Sequence, residues 1–316
     1  MTRFIGYGTL TLCLLAAIGA AAQQQPTFRA GNDAVRVFAT VTDRDGRLVP
    51  HLTQGDFEVR DEGKPQPITI FDNTPQPVRL IVMLDVSGSM EGNLQLLRDG
   101  ASELFTRLRP DDEVSVGTFG VDVDISSEFT NDPRALRSQL PRRIDPEAPT
   151  PLWRAVDAAM TAFGDKRDVR SVVLVLSDGK DGGPLSFKDH YVSQVEVIDR
   201  ARKDDVMVYG IGMHSRTSRP RTPGLGPAGL QAALLEDLPD SGLAKVAQET
   251  GGGYAEIRLN QDLGAAFARV ADELHGQYLI GYAPPKRDGK SHEIDVKVGQ
   301  AGLKARARKT YVAPKG

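Results

Sequence analysis

Asp85-Val86-Ser87-Gly88-Ser89-Met90 puts one carboxylate and two hydroxyls on a single short loop, directly after the apolar run Leu80-Ile81-Val82-Met83-Leu84. Oxygen groups of this kind are hard ligands. They suit Mg²⁺, or alternatively Mn²⁺ or Ca²⁺, and serve zinc and copper poorly. Gly88 permits the sharp turn that lets both serines face the same way. The bland alternative is that Asp85 and Ser87 merely cap the next helix or close a turn. Other chemistry finds little footing. Ser89 has no Gly-x-Ser-x-Gly elbow around it. His51, His190, His214, His275 and His292 lack the spacing of a triad or a zinc helix and are expected at the surface. Gly251-Gly252-Gly253 follows a helical pattern and precedes a strand pattern, so it reads as a helix end and not a phosphate cradle.

The loop needs elements to hold it. Residues 80–84, 114–119, 172–176 and 206–211 are continuous apolar runs of strand length, rich in branched residues, as in strands buried on both faces of a parallel sheet. Between them lie amphipathic stretches of helical period: Leu94, Leu97, Ala101, Leu104, Phe105 and Leu108, then Leu152, Ala155, Val156, Ala159, Met160 and Phe163. Further helices are expected near 189–203, 241–249 and 262–275, with a short strand at 254–257. The fold class is therefore α/β, a doubly wound and mostly parallel sheet, because each parallel crossover needs a helix to cover a face. Ligands of such sheets bind at the carboxyl edge, where Asp85 emerges.

Both flanks are strand-rich. Val35, Val37, Ala39 and Val41 alternate, followed by Phe57 and Val59 and by Ile68 and Ile70, with Asp45-Gly46 and Asp61-Glu62-Gly63 as turns. Pro75 and Pro77 mark a boundary. After His275, residues 278–280, then Ile294, Val296 and Val298, then 303–312 read as strands, with Asp288-Gly289 as a hairpin turn. Segments of roughly 50 and 40 residues are marginal alone. The expectation is that 23–76 and 276–316 combine into one small β-sandwich beside an α/β domain at 77–275.

The motif at Asp85 resembles the metal-dependent adhesion site of the von Willebrand factor A (VWA) family: Asp-x-Ser-x-Ser at a strand exit, a threonine on a second loop and an aspartate on a third. The resemblance puts the threonine at Thr150, in Ala148-Pro149-Thr150-Pro151-Leu152, and the aspartate at Asp178, in Leu176-Ser177-Asp178-Gly179. It implies Ser87, Ser89 and Thr150 as direct ligands, with Asp85 and Asp178 acting largely through bound water. Two carboxylates balance a divalent cation, and neutral hydroxyls withdraw little of its charge, so the ion stays attractive to one more anionic oxygen. Strand-rich segments around residues 37–43 and 55–59, and Tyr278-Leu279-Ile280-Gly281-Tyr282, extend the likeness to the VWFA-related proteins abundant in Acidobacteria. Asp181 is a neighbour expected to be solvated.

The chain opens with Arg3, an apolar run from Leu10 to Ile18, and Ala20-Ala21-Ala22, the pattern of a secretory signal peptide cut after Ala22. The only cysteine, Cys13, lies within it, so the mature chain would have no thiol for disulfides or thiolate metal sites. No membrane span is expected in that mature chain. The formal net charge of −3, with 39 Lys and Arg interspersed among 42 Asp and Glu, excludes the dense basic face of a nucleic-acid binder.

These features point to a secreted or periplasmic, non-enzymatic adhesion or scaffolding module whose unidentified protein partner offers an Asp or Glu carboxylate. A metal-assisted hydrolase and a structural envelope protein with an inactive site are the alternatives. Arg216, Arg219 and Arg221, in a stretch from His214 to Leu235 without acidic residues, could select an acidic partner, though a plain loop is the simpler reading. Trp153 reads as packing.

Overall fold

The computed structural model describes residues 34–164, 169–178, 181–182, 191–213, 241–257 and 262–315. Residues 1–22, Gly179, His190 and the stretch from His214 to Leu235 lie outside the described residues.

The apolar runs become β5 (Val78–Asp85), β6 (Glu113–Phe119), β8 (Arg170–Ser177) and β9 (Val206–Met213). With β7 (Val123–Ile125) and β10 (Tyr254–Ile257) they form a six-stranded sheet of order β10-β9-β8-β5-β6-β7. All neighbours are parallel except β7, an antiparallel edge on β6. That strand has no counterpart in the sequence reading, because Val-Asp-Ile is too short to show a period. Alternation along β5 feeds both layers: Leu80, Val82 and Leu84 join one buried cluster, and Ile81 and Met83 the other. The first cluster is covered by α1 (Leu94–Thr106) and α6 (Leu263–His275), and also takes in Leu136 of the short α2 (Pro133–Gln139). The second is covered by α3 (Leu152–Ala162), α4 (Gln194–Asp204) and α5 (Ser241–Thr250). Trp153 packs into this second layer, as its position suggests.

Helix α4 begins later than periodicity implies. Ser193 and Glu196 form a reciprocal capping box, the Ser193 amide donating to the Glu196 carboxylate at 2.7 Å, and this fixes the first turn. Gly251 follows α5 with φ +83°, the left-handed helix end expected there.

The flanks form two four-stranded antiparallel sheets. One has the order β13-β1-β11-β4, from β1 (Val35–Thr42), β4 (Ile70–Asp72), β11 (Tyr278–Tyr282) and β13 (Lys304–Arg306). The other has the order β14-β12-β2-β3, from β2 (Phe57–Asp61), β3 (Lys64–Gln66), β12 (Ser291–Val298) and β14 (Thr310–Val312). Each sheet mixes strands from both ends of the chain. Val37, Ala39 and Val41 meet Val59, Ile280, Ile294 and Val296 in one shared core. Asp288-Gly289 does turn, with φ +70° at Gly289. It is not a hairpin, however, because β11 and β12 on either side belong to different sheets, each drawn to a partner from the N-terminal flank.

Two histidines are withdrawn from the surface, His292 fully and His275 in part. His292 is 4% exposed and lies between Asp61 (3.1 Å from Nδ1) and Asp288 (3.2 Å from Nε2). His275 Nε2 is 2.9 Å from the buried Asp112 carboxylate. Carboxylate partners make the burial of these polar rings tolerable, and nothing in the local sequence announces those partners. His51 is exposed, as expected. Among the described residues no helix is long and apolar enough to cross a membrane.

Candidate metal centre

Parallel pairing fixes the floor of the site. β5 lies between β6 and β8, with Asp85 opposite Phe119 and Leu84 opposite Leu176. The last residue of β5 therefore emerges beside the last residue of β8, Ser177. The Ser177 hydroxyl donates to Asp85 Oδ2 at 2.5 Å, while Asp85 Oδ1 accepts the Ser87 amide at 2.9 Å. Both carboxylate oxygens are thus tethered, one by the neighbouring strand and one by the loop they begin.

Gly88–Met90 then forms a single 3₁₀ turn, and the turn brings the two serine hydroxyls to 3.0 Å from one another. Ser89 Oγ continues the chain of contacts, donating to Asp178 Oδ1 at 2.7 Å. The second loop is held against the first by the Gly88 amide, which donates to Ala148 O at 3.0 Å. Gly88 is required there for space: a Cβ would fall 2.1 Å from Pro146 O. The Thr150 carbonyl accepts amides from Leu152 at 2.9 Å and from Gly182 at 2.8 Å, joining the start of α3 to the loop that leaves β8. Asp181 is engaged too, accepting the Trp153 amide at 3.3 Å, where solvation alone was expected. The structure therefore links Asp85, Ser87, Ser89 and Asp178 through side-chain and amide contacts, and sets Thr150 on a loop bonded to both of the others. Sequence reasoning missed Ser177. Its signal was present, since it directly precedes Asp178 at the end of a strand expected to lie in the same parallel sheet as the one ending at Asp85.

The electrostatics are those of a site short of positive charge. Asp85 is fully buried and Asp178 is 4% exposed. Burial raises the Asp85 carboxyl above its ordinary range, against the hydrogen bonds from Ser177 and Ser87. Burial, with the nearby Asp85 charge, lifts Asp178 to about 7 despite the bond from Ser89. Asp178 Oδ2 is buried and has no hydrogen-bond partner. Among the described residues no Lys, Arg or His forms an ion pair with either carboxylate. Two buried carboxylates without a cation are costly, and a divalent ion is the group that the orphaned oxygen and the hydroxyls beside it fit.

Residues 80–180 match the family model for the von Willebrand factor type A domain. This part of the chain is a VWA domain. The matched stretch spans the three loops just described. No curated protein matches the sequence. Among solved structures, the chain is similar to the conserved hypothetical protein BatB from Bacteroides thetaiotaomicron, at 19% identity and TM-score 0.46 over 62% of this chain and 97% of that one. It is similar to a von Willebrand factor type A protein from Catenulispora acidiphila, at 13% identity and TM-score 0.48 over 90% of this chain and 75% of that one. A third is proximal thread matrix protein 1 from the mussel byssus, described with a zinc-occupied MIDAS motif, at 16% identity and TM-score 0.49 over 69% of this chain and 50% of that one. Identities this low say nothing about shared partners. VWA domains are usually binding modules without catalytic activity.

Proposed function

We propose that the protein is an exported binding module in which Asp85, Ser87, Ser89, Thr150 and Asp178 hold a divalent cation, Mg²⁺ or alternatively Mn²⁺ or Ca²⁺, at the carboxyl edge of the VWA sheet. The observation that carries this reading is the buried Asp178 oxygen with no partner, next to a second buried carboxylate and two hydroxyls already drawn to within hydrogen-bond reach. When bound, the ion supplies a coordination position open to a carboxylate oxygen of a partner protein.

The residues divide the work. Ser177 and the Ser87 amide fix the orientation of Asp85, so that with the ion bound it would add negative charge without swinging into the partner's place. Ser87, Ser89 and Thr150 offer neutral oxygens, which leaves the total charge of the ligand set at the level two carboxylates provide. Gly88 and Ala148 keep the first two loops in contact, so the threonine loop cannot drift from the serines.

A hydrolase reading has less support. A general base must sit within reach of a water or substrate proton, whereas the described histidines that have partners, His275 and His292, are bonded to Asp112, Asp61 and Asp288 in other parts of the molecule. The signal-peptide pattern of residues 1–22 supports secretion or a periplasmic location; sequencing the N-terminus of the exported protein should give Gln23.

The test is capture from a cell-envelope extract by the immobilised wild-type protein and by Asp178→Asn. A partner that binds in Mg²⁺, leaves in chelator and ignores the variant supports the reading. A partner retained equally in chelator contradicts the cation bridge.

A further inference from the structure

Helix α3 does not start where its sequence favours. Thr150-Pro151-Leu152-Trp153 reads as a helix capped by threonine with proline in the first helical position, an arrangement in which the Thr150 hydroxyl accepts the Trp153 amide. The backbone begins one residue later. Pro151 has ψ 63°, outside the helical range, and its carbonyl accepts the Ala155 amide at 3.0 Å, so Pro151 itself is the cap residue. Proline has no side-chain acceptor, and the cap residue of α3 accordingly makes no side-chain hydrogen bond.

The first amides of α3 are met in another way. The Leu152 amide donates to the Thr150 carbonyl at 2.9 Å, and the Trp153 amide donates to Asp181 Oδ1 at 3.3 Å, from the loop that leaves β8. The next residue of that loop, Gly182, donates its own amide to the Thr150 carbonyl at 2.8 Å. Two adjacent residues thus hold the Thr150 carbonyl and occupy the very amide that the Thr150 hydroxyl would otherwise take. The competition matters because threonine side chains readily bond the backbone close to them in sequence. Thr150 is 8% exposed, and a hydroxyl turned onto the helix in that confined place would be drawn away from the serines.

We propose that Asp181 is a positioning residue of the metal centre: it caps α3 in place of Thr150 and so leaves the Thr150 hydroxyl available to the cation. The inference rests on the divalent-cation reading given above. Asp181 acts through its acceptor oxygen and through Thr150, and it is not one of the ligands.

The experiment uses the whole protein in chelator and in Mg²⁺. In chelator, Asp181→Ala should lower the Tm by about 2–4 °C in a Thr150→Ala background, where nothing replaces the lost cap. With Thr150 present the same substitution should cost at most about half as much, because the hydroxyl turns onto the Trp153 amide. A cap that merely held α3 would cost the same in both backgrounds, and that result overturns the proposal. In Mg²⁺ titrations Asp181→Ala should bind about tenfold more weakly than wild type. Asp181→Asn keeps an acceptor oxygen for the amide and should stay within about threefold of wild type. Equal weakening in the two variants assigns the effect to charge and overturns the positioning role, as does unchanged affinity in Asp181→Ala. A wild type that takes up no Mg²⁺ overturns the cation reading and the positioning role with it, and the comparison in chelator then shows whether capping by Asp181 itself holds.

Discussion

Ser89 Oγ donates to Asp178 Oδ1 at 2.7 Å, joining two residues 89 positions apart in the chain. The bond closes the first loop of the VWA domain onto the third, and it occupies only one of the two Asp178 oxygens. The other oxygen is buried without a partner. A carboxylate in that condition is costly to bury.

It follows that Asp178→Asn should separate stability from binding. The amide keeps the shape and removes the buried charge, so in chelator the variant should melt at the same temperature as wild type or higher. Added Mg²⁺ should raise the Tm of wild type and leave the variant unchanged. Differential scanning fluorimetry with and without chelator reads both effects.

Ser177→Ala tests the residue that sequence reasoning passed over. It deletes the donor to Asp85 Oδ2 and leaves a buried carboxylate oxygen with one fewer bond. Urea unfolding should show a loss of about 1–3 kcal/mol. Cation affinity should fall as well, by about 10- to 100-fold, because a group that orients a ligand is lost.

Gly88→Ala would put a methyl group 2.1 Å from Pro146 O. The loop carrying Thr150 must retreat, and the Gly88 amide loses Ala148 O. A cost of about 1–3 kcal/mol is expected from the overpacking, together with loss of the Mg²⁺-dependent rise in Tm.

The small sandwich should carry its own pH dependence. Burial alone would lower the His292 imidazolium, but hydrogen bonds and charge from Asp61 and Asp288 outweigh it and raise the group above its ordinary value of 6.5. Tyr282 and Tyr311 donate to Asp61 Oδ2 at 2.9 and 2.7 Å and are themselves held protonated, their hydroxyls raised by burial and by Asp61. A raised histidine contributes stability that is fully present below the unfolded value and is lost as pH rises through the folded one. Urea midpoints should therefore fall from pH 6 to pH 8 in wild type, and the slope should flatten in His292→Gln.

What the sequence disclosed followed periodicity. The runs ending at Leu84 and Leu176 are uninterrupted because both faces of the sheet are covered, and that alone placed Asp85 at a carboxyl edge. The alternation of Val35, Val37, Ala39 and Val41 disclosed strands in the same way. What stayed hidden depends on register and long-range pairing. Ser177 reaches Asp85 only because β8 lies beside β5 in step, and Asp61 meets His292 across a separation of 231 residues. The turn at Asp288-Gly289 was visible, but which strands it would join was decided by partners near residues 35 and 60. The three-residue β7 has no period to read at all.

Asp85, Ser87, Ser89, Thr150 and Asp178 are proposed to hold one divalent ion between them. Calorimetric titration of Mg²⁺ into chelator-stripped protein tests it most directly. Wild type should take up one ion per chain, and binding should be lost or weakened at least about tenfold in Asp178→Asn and Thr150→Ala. No uptake by a correctly folded wild-type protein, or uptake unchanged in both variants, would contradict it.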